Sequence, residues 1–180
     1  MISSWGSAAT RSRLGVALVA TLVACVSTKP VAEPVGVSNA RAQTEAPQTW
    51  AYESLDARAV SAEGTRGKPT VLAFVTTDNL GSQAQVNFLV AMAKHDADRV
   101  NYALVAMHTR KDREIVELYR STLAVTFPVA LADDASISGG GPFPIEAVPT
   151  VVVLDREGKL VWRTTGLAKP ADIRPHLNTR

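Results

Sequence analysis

The chain has 180 residues, of which 46% are hydrophobic, and its 19 lysines and arginines nearly balance 17 aspartates and glutamates. A net charge of +2 leaves no basic excess to attract phosphate backbones, so nucleic acid is not an expected partner. The three histidines are scattered, without a cysteine cluster or a His-x-x-x-His pair, so neither a metal site nor a cofactor is predicted.

Residues 1–24 have the pattern of a secretory signal peptide. Arg11 and Arg13 precede an apolar run at residues 14–24, which is shorter than the roughly 20 residues that a membrane-spanning helix needs. The run ends in Leu-Val-Ala-Cys25, which resembles the lipobox of bacterial lipoproteins, where the signal is cut before the cysteine and the thiol is lipidated. The alternative is an ordinary secretory signal that leaves Cys25 as a stray thiol.

Cys25 is the single cysteine of the sequence, so no intramolecular disulfide can form. Residues 25–49 are rich in Pro, Ala, Ser, Thr and Gln without helical or strand periodicity, and they are predicted to form a flexible tether. The alternative is a terminal extension without a role. The lipid on Cys25 would anchor the chain to a membrane at the periplasmic face of the bacterial cell envelope. Val26 follows the cysteine where an aspartate would favour the inner membrane, and this favours the outer membrane.

Residues 50–180 suffice for one domain with one core. Early strands separated by helices indicate parallel pairing, and a tight turn at 155–158 indicates an antiparallel hairpin. The predicted strands are one or two short edge strands within 50–60, then Thr70–Val75, 101–107, 127–132, 149–154 and 160–164, and the predicted helices are 80–98, 112–122 and 171–177.

The stretch 67–89 is the one around which the domain is organised. Thr70–Val75 reads as a strand buried on both faces, and a polar loop at 76–82 leads into a helix. The N-terminus of that helix would direct free N–H groups toward the loop, where chemistry would be expected. The loop itself offers Asp78, Asn79 and Ser82.

Three segments, in this order, resemble the TlpA/ResA type of membrane-anchored thiol-disulfide oxidoreductases of the thioredoxin superfamily. They are 66–75, 127–133 and the Val-Pro-Thr strand and hairpin at 148–162, and residues 167–177 fit the final helix of that family. The resemblance implies an α/β, thioredoxin-like fold. A central mixed sheet of four or five strands would have helices on both faces, with Thr70–Val75 parallel to 101–107 and antiparallel to 149–154.

The chain departs from this family where the family carries Trp-Cys-x-x-Cys. Aligned by the strand, the two cysteines fall at Asn79 and Ser82, the aromatic residue falls at Asp78, and the family's acid falls at Gln85. Thiol-disulfide exchange needs a thiolate of low pKa, which neither an amide nor a hydroxyl supplies. The resemblance therefore implies a degenerate active-site loop with no catalytic residue.

In the resembled family the Val-Pro bond is cis, and the residue before the proline offers its backbone to an extended peptide. These positions are Val148 and Pro149 here. A groove between them and the loop at 78–82 could bind an extended segment by strand addition. The alternative is that Pro149 serves to end the loop and start the strand.

Other catalytic hypotheses rest on Ser82 and the histidines. His95 is too far along the helix to reach Ser82, whereas His108 follows a strand and could contact it, with Asp78 orienting the imidazole. The alternative is that His108 is a solvated loop residue. The glycine run 139–141 lacks the lysine and helix start of a phosphate loop, which favours a flexible turn.

The sequence thus favours a redox-inactive thioredoxin-like lipoprotein, a pseudo-enzyme that acts as a binding or scaffold module for a protein partner. The alternative is a thiol-disulfide oxidoreductase, as the fold would suggest, or an activity based on Ser82.

Overall fold

The structure is a computed structural model that describes residues 49–178. The predicted signal peptide, Cys25 and the predicted tether up to residue 48 lie outside the described residues. Within residues 49–178, none of the helices has the length and apolar character needed to cross a bilayer.

The described strands form one seven-stranded mixed sheet in the order β2-β1-β5-β4-β3-β6-β7. The expected count of four or five strands is wrong, because the two short edge strands predicted within 50–60 join the same sheet through β5. The strands are β1 (Ala51–Ser54), β2 (Val60–Ser61), β3 (Thr70–Val75), β4 (Asn101–Ala106), β5 (Val129–Leu131), β6 (Thr150–Leu154) and β7 (Leu160–Thr165).

The central position of β3 and its neighbours is as predicted. β3 pairs parallel to β4, with Ala73 opposite Leu104, and antiparallel to β6, with Ala73 opposite Val151. All six residues of β3 are buried, as a strand covered on both faces requires. The mixed α/β fold class is confirmed.

Within residues 49–178, four helices accompany the sheet: α1 (Leu80–Asp96), α2 (Arg113–Thr122), α3 (Asp134–Ile137) and α4 (Pro170–Ile173). α1 ends two residues before the predicted boundary, because Ala97 takes a positive φ of 47°. The predicted C-terminal helix is α4 followed by a 3₁₀ turn at Arg174–Asn178. α3 was not predicted. It begins after Asp133, whose side chain accepts a hydrogen bond from the Ser136 N–H at 2.8 Å.

The two faces of the sheet are covered unequally. On one face, Val71, Ala73 and Val75 of β3 belong to a buried cluster with side chains of α1, α2 and α4. On the other face, Leu72 and Phe74 belong to a second cluster that also contains the aromatic residues Trp50, Tyr52 and Phe143.

The second face is closed by aromatic packing and by one short helix. The rings of Phe74 and Phe143 lie 5.8 Å apart, those of Tyr52 and Phe74 lie 6.0 Å apart, and the Tyr52 hydroxyl lies 3.3 Å from Ser136 Oγ in α3. The segment 138–147 includes the glycine run that was expected to be a flexible turn. It also contains Phe143, which is buried in the core.

The C-terminal segment packs on β7 through His176, whose ring stacks on Trp162 at a centroid distance of 5.0 Å and an interplanar angle of 15°. Burial lowers the pKa of His176 below its ordinary value of 6.5, so the folded chain favours the neutral imidazole. The unfolded chain therefore binds more protons once the pH falls through 6.5, and the free energy of unfolding should decrease there.

We expect urea midpoints, followed by tryptophan fluorescence, to fall between pH 7.5 and pH 5.5. The difference between the wild type and His176→Gln isolates the contribution of this imidazole. If His176→Gln leaves the pH dependence unchanged, the stacked imidazole does not contribute to it.

Candidate functional site

The loop between β3 and α1 is held by the two residues that were aligned with the family's cysteines. Asn79 is the N-cap of α1, and its Oδ1 accepts a hydrogen bond from the Ser82 N–H at 2.9 Å. Ser82 is fully buried, and its Oγ accepts a hydrogen bond from the Thr76 N–H at 3.3 Å. Both side chains therefore satisfy backbone donors of the loop, and they are structural members of it.

Gln85, one helical turn further on, is also fully buried. Its Oε1 accepts a hydrogen bond from the Ala168 N–H at 2.7 Å, which ties α1 to the segment that precedes α4. Its Nε2 has no hydrogen-bond partner among the described residues. An amide at this position cannot take up and release a proton as a carboxylate would.

His108 binds the loop, but through Thr77. The imidazole Nε2 accepts a hydrogen bond from the Thr77 N–H at 3.0 Å and lies 3.2 Å from Thr77 Oγ1. Because Nε2 accepts, the proton of the neutral ring is on Nδ1, which lies 4.0 Å from Asp112 Oδ2.

The structure therefore does not bring together the pair that a Ser82 nucleophile would need. Among the described residues, no hydrogen bond joins Ser82 to a histidine, and His95 bonds instead to Asp96 at the far end of α1. A fully buried hydroxyl that already accepts a backbone hydrogen bond, with no base beside it, is a poor nucleophile.

Asp78 adds negative charge to the exposed side of the loop. A hydrogen bond from the Thr76 side chain lowers the pKa of Asp78 below 3.8, and the nearby His108 contributes to the same shift. Asp78 is therefore a carboxylate at neutral pH. A thiolate in this loop would be disfavoured by its charge.

The Val148–Pro149 peptide bond is cis, as predicted. Pro149 lies against the loop, because a methyl group added at Gly81 would be 3.4 Å from Pro149 Cδ and 3.1 Å from Asn79 Oδ1. The predicted proximity of the cis-proline to the loop is thus confirmed. We call the surface formed by Val148, Pro149 and the loop 78–82 the Pro149 groove.

The backbone of Val148 lies at this groove. Neither its N–H nor its C=O makes a hydrogen bond to another described residue, whereas the next carbonyl, of Pro149, accepts the Gly166 N–H at 2.7 Å. A free donor and acceptor on one half-buried residue are the groups that an added strand would pair with.

Two exposed leucines close to these elements were missed by sequence reasoning. Leu80, the first residue of α1, is 80% exposed, and Leu167, next to the Ala168 amide that binds Gln85, is 48% exposed. A signal for Leu80 was present in the sequence. At 100° per residue it lies about 180° from the buried Leu89 on the helical wheel, outside the apolar stripe.

Across residues 49–178, no group of three His, Cys, Asp or Glu side chains is placed to hold a metal ion.

Solved structures of similar architecture are found across bacterial species. A thiol:disulfide interchange protein of the thioredoxin family from Chlorobium tepidum is 19% identical with a TM-score of 0.63, over 77% of this chain and 97% of that one. StoA from Bacillus subtilis is 17% identical with a TM-score of 0.59, over 72% of this chain and 96% of that one. A DsbF homologue from Corynebacterium diphtheriae is 16% identical with a TM-score of 0.62, over 72% of this chain and 83% of that one.

The chain has a thioredoxin-like fold. At these identities the similarity establishes the fold and not the activity. No protein-family model matches the sequence, and no curated protein matches it. Within the thioredoxin-like fold, chemistry has to be judged from the side chains present, and the single cysteine, Cys25, lies outside the described residues.

Proposed function

We propose that the chain is a redox-inactive, thioredoxin-like lipoprotein of the TlpA/ResA type that binds an extended segment of a protein partner in the Pro149 groove. The observation that carries this proposal is the backbone of Val148, which makes no hydrogen bond to another residue of 49–178 and lies beside a cis-proline that contacts the loop. An extended peptide would gain main-chain hydrogen bonds there by strand addition, and the exposed Leu80 adds apolar surface within the loop.

The absence of thiol chemistry follows in this proposal from the alignment of Asn79 and Ser82 with the family's two cysteines. Both side chains hold backbone N–H groups of the loop, and the sequence contains no cysteine after Cys25. Gln85 replaces the acid that would manage protons. The groove would thus keep the peptide-binding surface of an oxidoreductase and lack the two cysteines that react with a disulfide.

The second candidate is an oxidoreductase, favoured by the similarity to a structure named as a thiol:disulfide interchange protein. A dithiol cycle needs two thiols, and this chain has one. An oxidoreductase role would therefore require Cys25 to be free of lipid and to be paired with a thiol from another molecule.

We also propose that the lipid on Cys25 holds the domain at the periplasmic face of the cell envelope, at the outer membrane. The support is the signal-peptide pattern of residues 1–24, which ends at Cys25 in a sequence that resembles a lipobox. The stretch that follows, up to residue 49, has no helical or strand periodicity.

The groove is tested by photocrosslinking in the full chain. A benzophenone side chain at position 80 should crosslink to a discrete protein in cell envelopes, whereas the same group at Leu118, which is 65% exposed on α2, should not. Val148→Pro removes the free amide and should weaken the crosslink about tenfold, the effect of losing roughly 1.4 kcal/mol of hydrogen bonding. Val148→Ala keeps the amide and should not weaken it.

Equal crosslinking from positions 80 and 118 would contradict a specific groove. Equal crosslinking in Val148→Pro and Val148→Ala would contradict strand addition. Far-ultraviolet circular dichroism of each variant distinguishes loss of binding from loss of folding.

A further inference from the structure

A cavity of about 600 Å³ lies at the end of the sheet opposite the Pro149 groove. It is formed by the turn before β3, the C-terminal end of α1, the β6–β7 hairpin and the C-terminal 3₁₀ turn. Its charged walls are lined by Lys68, Asp96, Asp98, Arg99, Arg156 and Arg174.

One of the two carboxylates, Asp96, is buried and bonds to other side chains of the protein. Its side chain is 5% exposed, Oδ2 accepts a hydrogen bond from the Tyr102 hydroxyl at 2.5 Å, and Oδ1 lies 3.1 Å from Arg174 Nη1. Burial would raise the pKa of Asp96, but the hydrogen bonds from Tyr102, His95 and Arg174 outweigh it and lower the pKa. Asp96 therefore stays ionised and holds Arg174 at the wall of the cavity.

Arg99 is fixed in a similar way on the next turn of the chain. Its Nε donates to the Asp96 carbonyl at 3.3 Å, and its Nη2 lies 3.7 Å from Asp96 Oδ1. A guanidinium has five N–H donors, so Arg99 and Arg174 each keep donors that these contacts do not use. Asp96 thus positions two forked donors at one cavity.

The other two cations have no partner within the described part of the chain. No hydrogen bond or ion pair joins the side chain of Lys68 or of Arg156 to another residue of 49–178. Their backbones are tied together, because the Gly67 N–H donates to the Arg156 carbonyl at 2.8 Å. The turn that carries Lys68 and the hairpin that carries Arg156 therefore lie side by side, and both residues line the cavity.

We propose that this cavity binds a phosphate group. Four cationic side chains face two carboxylates, a balance of two positive charges that a phosphate dianion would neutralise. Guanidinium groups match phosphate geometry with two parallel hydrogen bonds, and a lysine adds a compact charge. An apolar ligand would instead remove these charges from water without compensation. The group is shared by free phosphate and by the headgroup of a phosphomonoester lipid.

The test is isothermal titration calorimetry, in which inorganic phosphate is added to the full chain purified in a neutral detergent at pH 7.5. We expect saturable binding that is weakened at least tenfold in a variant carrying Lys68→Ala and Arg156→Ala. The control variant carries Lys94→Ala and Lys111→Ala, which remove the same charge from exposed positions outside the cavity lining. Its affinity should be within twofold of the wild type.

Both test residues are exposed, so the first variant should fold, and its circular dichroism spectrum checks this. A parallel titration with dihexanoyl phosphatidic acid distinguishes the sources. Tighter binding than inorganic phosphate supports a lipid headgroup, and equal binding supports free phosphate. Absence of saturation by either ligand at millimolar concentration, or equal losses in the two variants, would overturn the proposal. Neither result would contradict peptide binding in the Pro149 groove, because that groove lies at the other end of the sheet.

Discussion

A chain carrying Asn79→Cys together with Ser82→Cys is expected to form an internal disulfide on oxidation and to gain weak insulin-reductase activity, whereas the wild type has none. Asn79 caps α1 and Ser82 lies in its first turn, where its N–H bonds to the cap. We expect their Cα atoms to be roughly 4.4–6.8 Å apart, the spacing of disulfide-bonded residues. The helix N-terminus would lower the pKa of the first thiol and favour its thiolate.

The gained activity should be weak for two reasons. The Asp78 carboxylate would raise the pKa of the new thiol by repulsion between like charges. Gln85 cannot shuttle the proton that a carboxylate would shuttle. Adding Gln85→Glu to the double variant should therefore increase the rate further, and adding Asp78→Trp should increase it by removing the charge.

Each single cysteine substitution is the control, and a Cys25→Ser background excludes pairing with the native thiol. Disulfide formation is measured by mobility after thiol alkylation, and activity by the turbidity of reduced insulin. Reductase activity in the cysteine-free chain would contradict the redox-inactive proposal. Two thiols that never pair would show that the alignment of this loop with the family's active site is wrong.

Cys25→Ser is expected to move the mature protein from the membrane fraction to the soluble fraction. Acyl chains contribute about 0.8 kcal/mol per buried methylene, so the anchor of a triacylated cysteine amounts to tens of kcal/mol. Within residues 49–178 no helix offers an alternative span. Metabolic labelling with a palmitate analogue should mark the wild type and Ser27→Ala, the neighbouring control, but not Cys25→Ser.

Retention of Cys25→Ser in membranes washed without detergent would contradict lipid anchoring. It would point to an uncleaved apolar segment at residues 14–24 as the anchor. Release of the wild type into the soluble fraction would contradict both mechanisms.

The sheet could be predicted because its signal is local. Thr70–Val75 is apolar at every position but its first. This pattern predicts a strand that is buried on both faces, and the structure confirms it. The uneven covering of the sheet could not be predicted, since it depends on Phe143 in an irregular segment that reaches Phe74 and Trp50. No periodicity marks such a contact.

The candidate site shows the same division. The cis bond at Val148–Pro149 was predictable through the family resemblance, but the partner of His108 was not. A histidine that follows β4 can reach any part of the neighbouring loop, and the difference between Thr77 and Ser82 is a matter of a few ångströms that spacing in the sequence does not fix. The α3 helix was missed because four residues carry no period, although Asp133 is a recognisable N-cap.

The bonding of Asn79 and Ser82 also bears on how this chain could change by point mutation. A cysteine at position 79 alone removes the cap acceptor, at a cost of about 1 kcal/mol, and creates no redox pair. A cysteine at position 82 alone exchanges a good acceptor of the Thr76 N–H for a weak one. Either first step lowers stability without conferring activity. A route to a dithiol by single substitutions therefore passes through a variant that is less stable than the present loop and that has no second thiol in the loop to pair with.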